Sequence, residues 1–427
     1  MVSLSTNLKN VLSAEHFEIL NSATEIASLT DTDLYLVGGC VRDVILGCAE
    51  KDFDIDLTGT KVDRDFADRL AEKLGGVVQS SSAFGTHKLF VSSADDSHIE
   101  IDVALSRSET YKSPGRLPEV EPGDIFQDLA RRDFSIGAMC IVLRPPDNSD
   151  WNWGQLIDPQ FGNKDLINKE LRILHPKSFQ DDPTRMFRIL RYAGRLGFKL
   201  EANTQKLFTS SLQWISNLSG ERIRNELERI FEETHTAQIV INCVTSGLLS
   251  SFLNKIDLSH LSAFNKLQLN AMILSDRIEF WFGLILCKAN SEEIDYLCDQ
   301  LNLNSKQRKV LENVTSLKTY LDNEKHILFS DDVKSSEVYK LLVGYDPIAI
   351  HVCALISSNN AVKAKLDLYV NSLMGISTIL DGGDLISLGV KEGPELGVIL
   401  NNLLYAKLDG QLKSRADEEK FVKIFRT

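Results

Sequence analysis

The sequence predicts an α+β chain: a mixed α/β N-terminal part followed by an all-helical remainder. Three observations carry this. The apolar run Leu34-Tyr35-Leu36-Val37 stops at Gly38-Gly39, as a buried strand entering a glycine turn does. Phe53, Ile55 and Leu57 alternate with Asp52, Asp54 and Asp56, which is the period of a half-buried strand carrying three carboxylates on one face. After about residue 180 the apolar residues recur at helical spacing, in a chain of 427 residues with only 10 prolines.

The elements follow in order. Leu8, Val11, Leu12, Phe17, Leu20 and Ile26 predict an amphipathic helix over 5–30. Residues 41–46 resume a helical pattern after the glycine turn, and 63–74 form another. His87 to Ser92 and His98 to Leu105 read as two more strands. Pro114, Gly115, Pro118, Pro122 and Gly123 predict an irregular loop from about 107 to 124. It is long for a connector, and such loops are usually functional or disordered. Ser219 before Glu221 caps a helix, and Gly393-Pro394-Glu395 opens a later one. Ile294, Leu297, Leu301, Val310 and Leu311 are expected to be core. Composition shifts near 145–180, 235 and 320 divide the chain into 1–145, 146–235, 236–320 and 321–427.

Composition narrows the function. With 43% hydrophobic and 25% charged residues the chain is ordinary globular protein. The net charge of −13 (47 basic against 60 acidic residues) excludes a non-specific nucleic-acid coat, but not a local basic face. The longest apolar run, Phe280 to Cys287, has eight residues, far below the ~20 of a membrane span. The N-terminus lacks a basic stretch followed by an apolar one, so secretion is not expected. Seven cysteines without a CxxC predict reduced packing thiols, no structural zinc and a cytoplasmic setting. The eight histidines show no metal-ligand spacing.

The residues able to carry chemistry fall into blocks. Asp52 and Asp54, two apart on a strand, point the same way, and Asp102 in Ile99–Val103 is a candidate partner from a neighbouring strand. Such oxygen donors suit Mg²⁺, which completes its shell with water and phosphate oxygens. Gly38 and Gly39 sit before a helix, where backbone N–H groups meet an anion, and Arg42 lies one turn on. Their spacing is neither Rossmann nor P-loop. Arg131-Arg132 suits bidentate phosphate contacts, and Asp133 suits a ribose hydroxyl or an arginine. From Pro183 to Lys199 five basic residues occur with no acid. Arg185, Arg188, Tyr192 and Arg195 share one helical face, with Arg191 beside them. Phosphates, with a base stacked on the aromatic, are the natural partner of that stripe. Asp182 and Arg185, one turn apart, offer an acceptor and donors along one edge.

Taken in order, GGCVRDVILG (38–47), DFD (52–54), RRDFSIGAM (131–139), DDPTRMFRILRYAGRLGF (181–198) and ERIRNEL (221–227) resemble the class II tRNA nucleotidyltransferases, the CCA-adding enzymes and bacterial poly(A) polymerases. The resemblance spans roughly the first 235 residues, and 380–410 looks like the C-terminal region of the longer members. It implies a nucleotidyltransferase head followed by helical neck, body and tail that hold the tRNA acceptor arm. It implies that Gly38, Gly39 and Arg42 hold the triphosphate, and that Asp52 and Asp54, with Asp102 as a third carboxylate, bind Mg²⁺. Arg131, Arg132, Asp133 and Arg188 would contact the nucleotide, while Arg191 and Arg195 would bind RNA. Asp182 and Arg185 match the family's amino-acid template for the incoming base, and 107–124 matches the loop tied to A-addition. The expected reaction is CCA addition to tRNA from CTP and ATP. A-addition alone, poly(A) synthesis, and a non-catalytic RNA-binding protein are the alternatives; a homodimer is compatible with all of them. Three departures stand out: RRDFSIG where the family has RRDFTIN, so that Gly137 lacks a side-chain amide; Asp181 for the usual Glu; and variability at Asp102.

Overall fold

In a computed structural model, the structure describes residues 8, 11–47, 54–81, 85–92, 98–145, 153–253, 276–323, 326–330 and 332–425. These form two compact units, one of 1–226 with 233–235 and 242–252, the other of the remainder.

The first unit is built on a seven-stranded mixed sheet. Helix α1 (Ala14–Leu29), capped by the Ser13 hydroxyl, leads into β1 (Leu34–Val37), whose four residues are all buried. Helix α2 (Gly39–Leu46) follows, then β2 (Ile55–Gly59), α3 (Arg64–Leu74), β3 (Val77–Ser81), β4 (Thr86–Ser92) and β5 (His98–Leu105). After β6 (Arg107–Thr110) and β7 (Glu119–Pro122) come α4 (Ile125–Ala130), β8 (Cys140–Arg144) and β9 (Leu156–Ile157). The sheet order is β3-β4-β5-β2-β1-β8-β9. Strand β1 lies at its heart, antiparallel to both β2 and β8, while β2 runs parallel to β5. Because side chains alternate along β1, Tyr35 and Val37 share one face, packed with Ile125, Leu129, Cys140 and Val142.

The stretch expected to be an irregular loop is a hairpin. Strands β6 and β7 pair antiparallel from Arg107↔Pro122 to Thr110↔Glu119. The prolines that argued against a strand sit at its end and in its turn, where a missing N–H costs no ladder bond.

Helices α5 (Gly162–Asn168), α6 (Ser178–Asp181), α7 (Thr184–Leu196), α8 (Ala202–Ser211) and α9 (Gly220–Phe231) follow, but the stretch expected to be all-helical after 146 also contains β9 and a short parallel pair, Glu170–Leu171 with Lys199–Leu200. The second unit is helical, from Arg277–Ile285 to Arg415–Phe425, and Ile294, Leu297, Leu301, Val310 and Leu311 are buried in it. Near its end Leu380, Leu385, Ile399, Leu403 and Val422 form a separate core. There the buried Glu418 accepts from the Ile379 and Leu380 N–H groups and pairs with Lys407. The six described cysteines are buried and free of disulfides. Among the described residues no single helix is long and apolar enough to cross a membrane.

Candidate active site

Two adjoining cavities open on the carboxyl end of β1. Gly38 leaves the strand at φ +84°, a left-handed conformation, and a Cβ there would lie 2.3 Å from Asp56 Oδ2. Only glycine meets both demands. The turn places the N-terminus of α2 over the cavity floor, with backbone N–H groups free of a capping side chain. Arg42 follows, buried, its guanidinium held fork-to-fork by Asp43 at 2.7 and 2.9 Å.

The smaller cavity is a carboxylate cleft lined by Asp54, Asp56, Glu100 and Asp102, with Lys88 opposite. Strand register explains it: Asp56 lies directly beside Asp102 across the parallel β2–β5 pair. Asp102 is therefore brought to the cleft, as its place on a neighbouring strand suggested. Asp54 stands exposed at the entrance to β2, and Asp52 lies outside the described residues. Among the described residues no three acidic, His or Cys side chains enclose a metal ion. The donor set nevertheless fits a hard divalent cation at an open site. All donors are oxygens, and Asp102 Oδ1 is buried with no hydrogen-bond donor, its nearest cation, Lys88 Nζ, being 3.6 Å away. Lys88 itself is engaged by Glu100.

Asp56 was not among the expected site residues. Burial pushes its carboxyl up to about 7, against the pull of Arg132 and with the push of Asp102 and Asp54. A carboxyl whose folded pKa exceeds its unfolded value adds stability that is complete below the unfolded value and lost as pH rises through the folded one. The metal-free protein is thus expected to lose stability between about pH 4 and 7, and Asp56→Asn to flatten that fall. Urea unfolding across that range checks it; an unchanged slope in the variant would refute the assignment.

The larger cavity, about 390 Å³, holds the arginines. Arg131 and Arg132 close α4, and both are gripped by Asp128, which is fully buried. Arg131 Nη2 donates to Oδ1 at 2.5 Å and Arg132 Nη2 to Oδ2 at 2.8 Å. Burial alone would raise the Asp128 carboxyl, but Arg132 and Arg131 hold it below the ordinary carboxylate range. Glu109 of β6 takes a second bond from Arg131 at 3.1 Å and one from the Tyr111 hydroxyl at 2.9 Å. Tyr111 lies with its ring 6.0 Å from the Arg185 guanidinium, and burial pushes its phenol up. None of Asp128, Glu109 and Tyr111 was anticipated. Asp128 had a signal, since it stands three and four residues before the paired arginines on one helix face.

The residues of α7 arrive from the opposite wall. Asp133 holds an arginine, the second of its two expected roles, and in fact holds two: Arg185 Nε at 3.2 Å and Arg188 Nε at 2.6 Å. The ionic pull of Arg188 and Arg185 outweighs burial and keeps its carboxyl low. Arg185 is buried and also donates to the Arg131 carbonyl at 2.7 Å and the Ser178 carbonyl at 3.4 Å. It is thus part of the wall as well as a source of further N–H groups for a ligand. Asp182 is not inside the helix. It precedes α7 and caps it, its Oδ1 accepting from the Thr184 N–H and hydroxyl and from Arg222 Nη2 at 2.8 Å. That leaves Oδ2 for a ligand. Arg222 also donates to the Gly115 carbonyl at 2.6 Å, latching the hairpin tip to Asp182. Arg222→Ala is expected to free the tip and raise KM for the nucleotide about tenfold, the worth of a charge-assisted pair. Limited proteolysis at 113–116 should quicken in parallel; a tip as resistant as wild type would refute the latch.

Gly137 lines the cavity, and a Cβ there would meet nothing within 4 Å, so the missing amide leaves open space. Ser135 turns away, its hydroxyl donating to the buried Asp165 at 2.6 Å. Arg191 and Arg195, expected to be offered to RNA, are both paired with Glu233, at 3.3 and 2.8 Å. Arg195 borders the carboxylate cleft, while the Arg191 guanidinium lies over the Tyr192 ring, 5.3 Å from its centroid.

Residues 34–172 match the poly A polymerase head domain, and 197–258 match the probable RNA and SrmB-binding site of polymerase A. The chain is 30% identical over 421 residues to an A-adding tRNA nucleotidyltransferase of Geobacter sulfurreducens, covering 94% of itself but 46% of that longer protein. It is 29% identical to the A-adding tRNA nucleotidyltransferase of Halalkalibacterium halodurans, covering 98% of itself and 94% of that protein. Among solved structures it resembles a CCA-adding enzyme in an apo form (TM-score 0.80, 26% identity, 99% of both chains). It also resembles the Thermotoga maritima CCA-adding enzyme complexed with tRNA (TM-score 0.76, 25% identity, 100% and 99% of the chains).

Proposed function

The chain belongs to the tRNA nucleotidyltransferase and bacterial poly(A) polymerase family, and from that premise we propose that it transfers AMP from ATP to the 3′ end of a tRNA ending in CC. The observation that carries the reading is the joining of a carboxylate cleft to an arginine-lined cavity of nucleotide size, with Gly39, Arg42, Asp56 and Tyr192 bordering both. Transfer to a 3′-hydroxyl needs that adjacency, since the attacking oxygen and the α-phosphate meet at the boundary.

In this reading the α2 N-terminus, Arg42, Arg131 and Arg132 cradle the triphosphate. Asp128 and Glu109 keep those arginines in place before substrate arrives, so little reorganisation is left for the transition state. Asp182 accepts from the base's amino group and Arg185 donates beside it. Asp133 and Arg188 brace that wall, and Arg191 and Arg195 serve the RNA backbone. Asp52 and Asp54, with Asp102, would hold Mg²⁺; bound there, it makes the 3′-hydroxyl more acidic and offsets charge at the phosphates. The division into head (1–145), neck (146–235), body (236–320) and tail (321–427) belongs to this proposal, with tRNA along the helical parts.

A-addition is preferred to full CCA addition because two relatives matched over 94% and 98% of this chain at 30% and 29% identity carry that name, whereas CCA-adding enzymes matched over 90% and 95% of it are 26% and 24% identical. The second reading rests on solved CCA-adding enzymes of the same fold, described in complexes with ATP and with CTP (TM-scores 0.78 and 0.77). Primer extension on tRNA transcripts ending at the discriminator base, at C and at CC, with CTP and ATP apart and together, decides. One AMP on the CC transcript and nothing on the others is the expected result. Completion of the shorter transcripts with both nucleotides would establish CCA addition, and tRNA binding without incorporation would overturn the enzymatic reading.

A further inference from the structure

We propose that Tyr192 is the platform on which the 3′-terminal base of the acceptor strand stacks; the inference rests on the nucleotidyl-transfer reading above. Among the described residues Tyr192 is the one aromatic side chain that borders both cavities. The nucleotide whose 3′-oxygen sits at their boundary must place its base against whatever flat surface borders both. The incoming base is accounted for elsewhere, between Asp182 and Arg185 with Tyr111 over the latter. Tyr192 is half-buried, so part of the ring faces open space. Its plane is set by an edge-on contact with the buried Phe134, with centroids 5.8 Å apart at 78°.

The charges around the ring suit a nucleotide. Arg191 and Arg195 lie 5.3 and 6.0 Å from its centroid, and Glu233 ties both down. Arg42 borders the same two cavities. An aromatic face flanked by fixed guanidinium groups binds a base by stacking and the adjoining phosphates by charge. Stacking is tolerant of base identity, so the platform positions the acceptor without choosing it.

The test uses tRNA ending in CC with pyrrolocytosine, a fluorescent cytosine whose emission falls on stacking, as its last base. Wild type and Tyr192→Phe are expected to quench the probe on binding. Tyr192→Leu and Tyr192→Gln are expected not to, with KM for tRNA raised about tenfold, the lower part of the range for one lost base stack. KM for ATP should stay within about twofold in all of them, which a merely structural role for the ring would not preserve. Full quenching and unchanged KM for tRNA in either folded non-aromatic variant would overturn the platform, as would a rise in KM confined to ATP. Wild type that quenches the probe but transfers no AMP would support the platform and overturn the proposed function, so the two fail separately.

Discussion

Asp54→Ala is expected to reduce AMP incorporation at least about 1000-fold with every acceptor, while leaving folding and tRNA binding intact. The expectation follows from where Asp54 stands. It is exposed at the mouth of a cleft in which Asp56 and Asp102 lie side by side across β2 and β5, with Glu100 beside them. Removing it disturbs no core, so the loss falls on catalysis. A carboxylate that holds a metal against the reacting phosphate acts where charge develops, and such terms are worth several kcal/mol. The informative companion is Asp54→Cys. A thiolate is a poor ligand for Mg²⁺ and a better one for softer divalent ions, so Mn²⁺ should restore part of the activity. Incorporation by Asp54→Ala near the wild-type rate would refute the metal assignment.

Asp128→Ala is expected to have the largest effect on stability, about 3–5 kcal/mol, together with a steep fall in kcat/KM for ATP. Asp128 is completely buried and satisfies two arginines that are themselves mostly covered. Removing the acid strands two cations, and the cost of breaking a buried ionic group is dominated by the charges left behind. Arg131 keeps Glu109, but among the acids bonded to these two side chains Arg132 has Asp128 alone. Urea unfolding and ATP kinetics measured together check the claim. If stability falls while the nucleotide KM is unchanged, Asp128 is a packing residue and not the organiser of the phosphate cradle. Salt should not rescue the variant, because screening hardly reaches a buried pair.

Much of this site could be read from the chain. The run Leu34–Val37 before two glycines is a strand and turn in the structure, because four apolar residues bounded by Gly-Gly have few other ways to bury themselves. The alternation around Asp54 and Asp56 places both acids at one cleft, and the basic stripe of α7 lines the arginine cavity. What the chain did not disclose has one cause, partners distant in sequence. Asp133, expected to meet a ribose hydroxyl or an arginine, and Arg191 and Arg195, expected to meet RNA, are each engaged within the protein by residues 38 to 55 positions away. The 107–124 segment was expected to be irregular because its prolines and glycines were weighed as breakers, whereas its ends pair and its tip is held by Arg222.

By itself the chain determined strands β1, β2, β4 and β5, the helices that follow residue 180, and the order of the blocks that carry chemistry, because periodicity and capping act over a few residues. What only the tertiary structure decided is partnership: that Asp56 lies beside Asp102, that Glu109 and Asp128 share Arg131, that Tyr192 borders two cavities. Those contacts depend on β2 lying beside β5 rather than beside the strand that follows it. They depend too on a hairpin meeting a helix more than a hundred residues later. Both are set by global packing, to which no local pattern is sensitive.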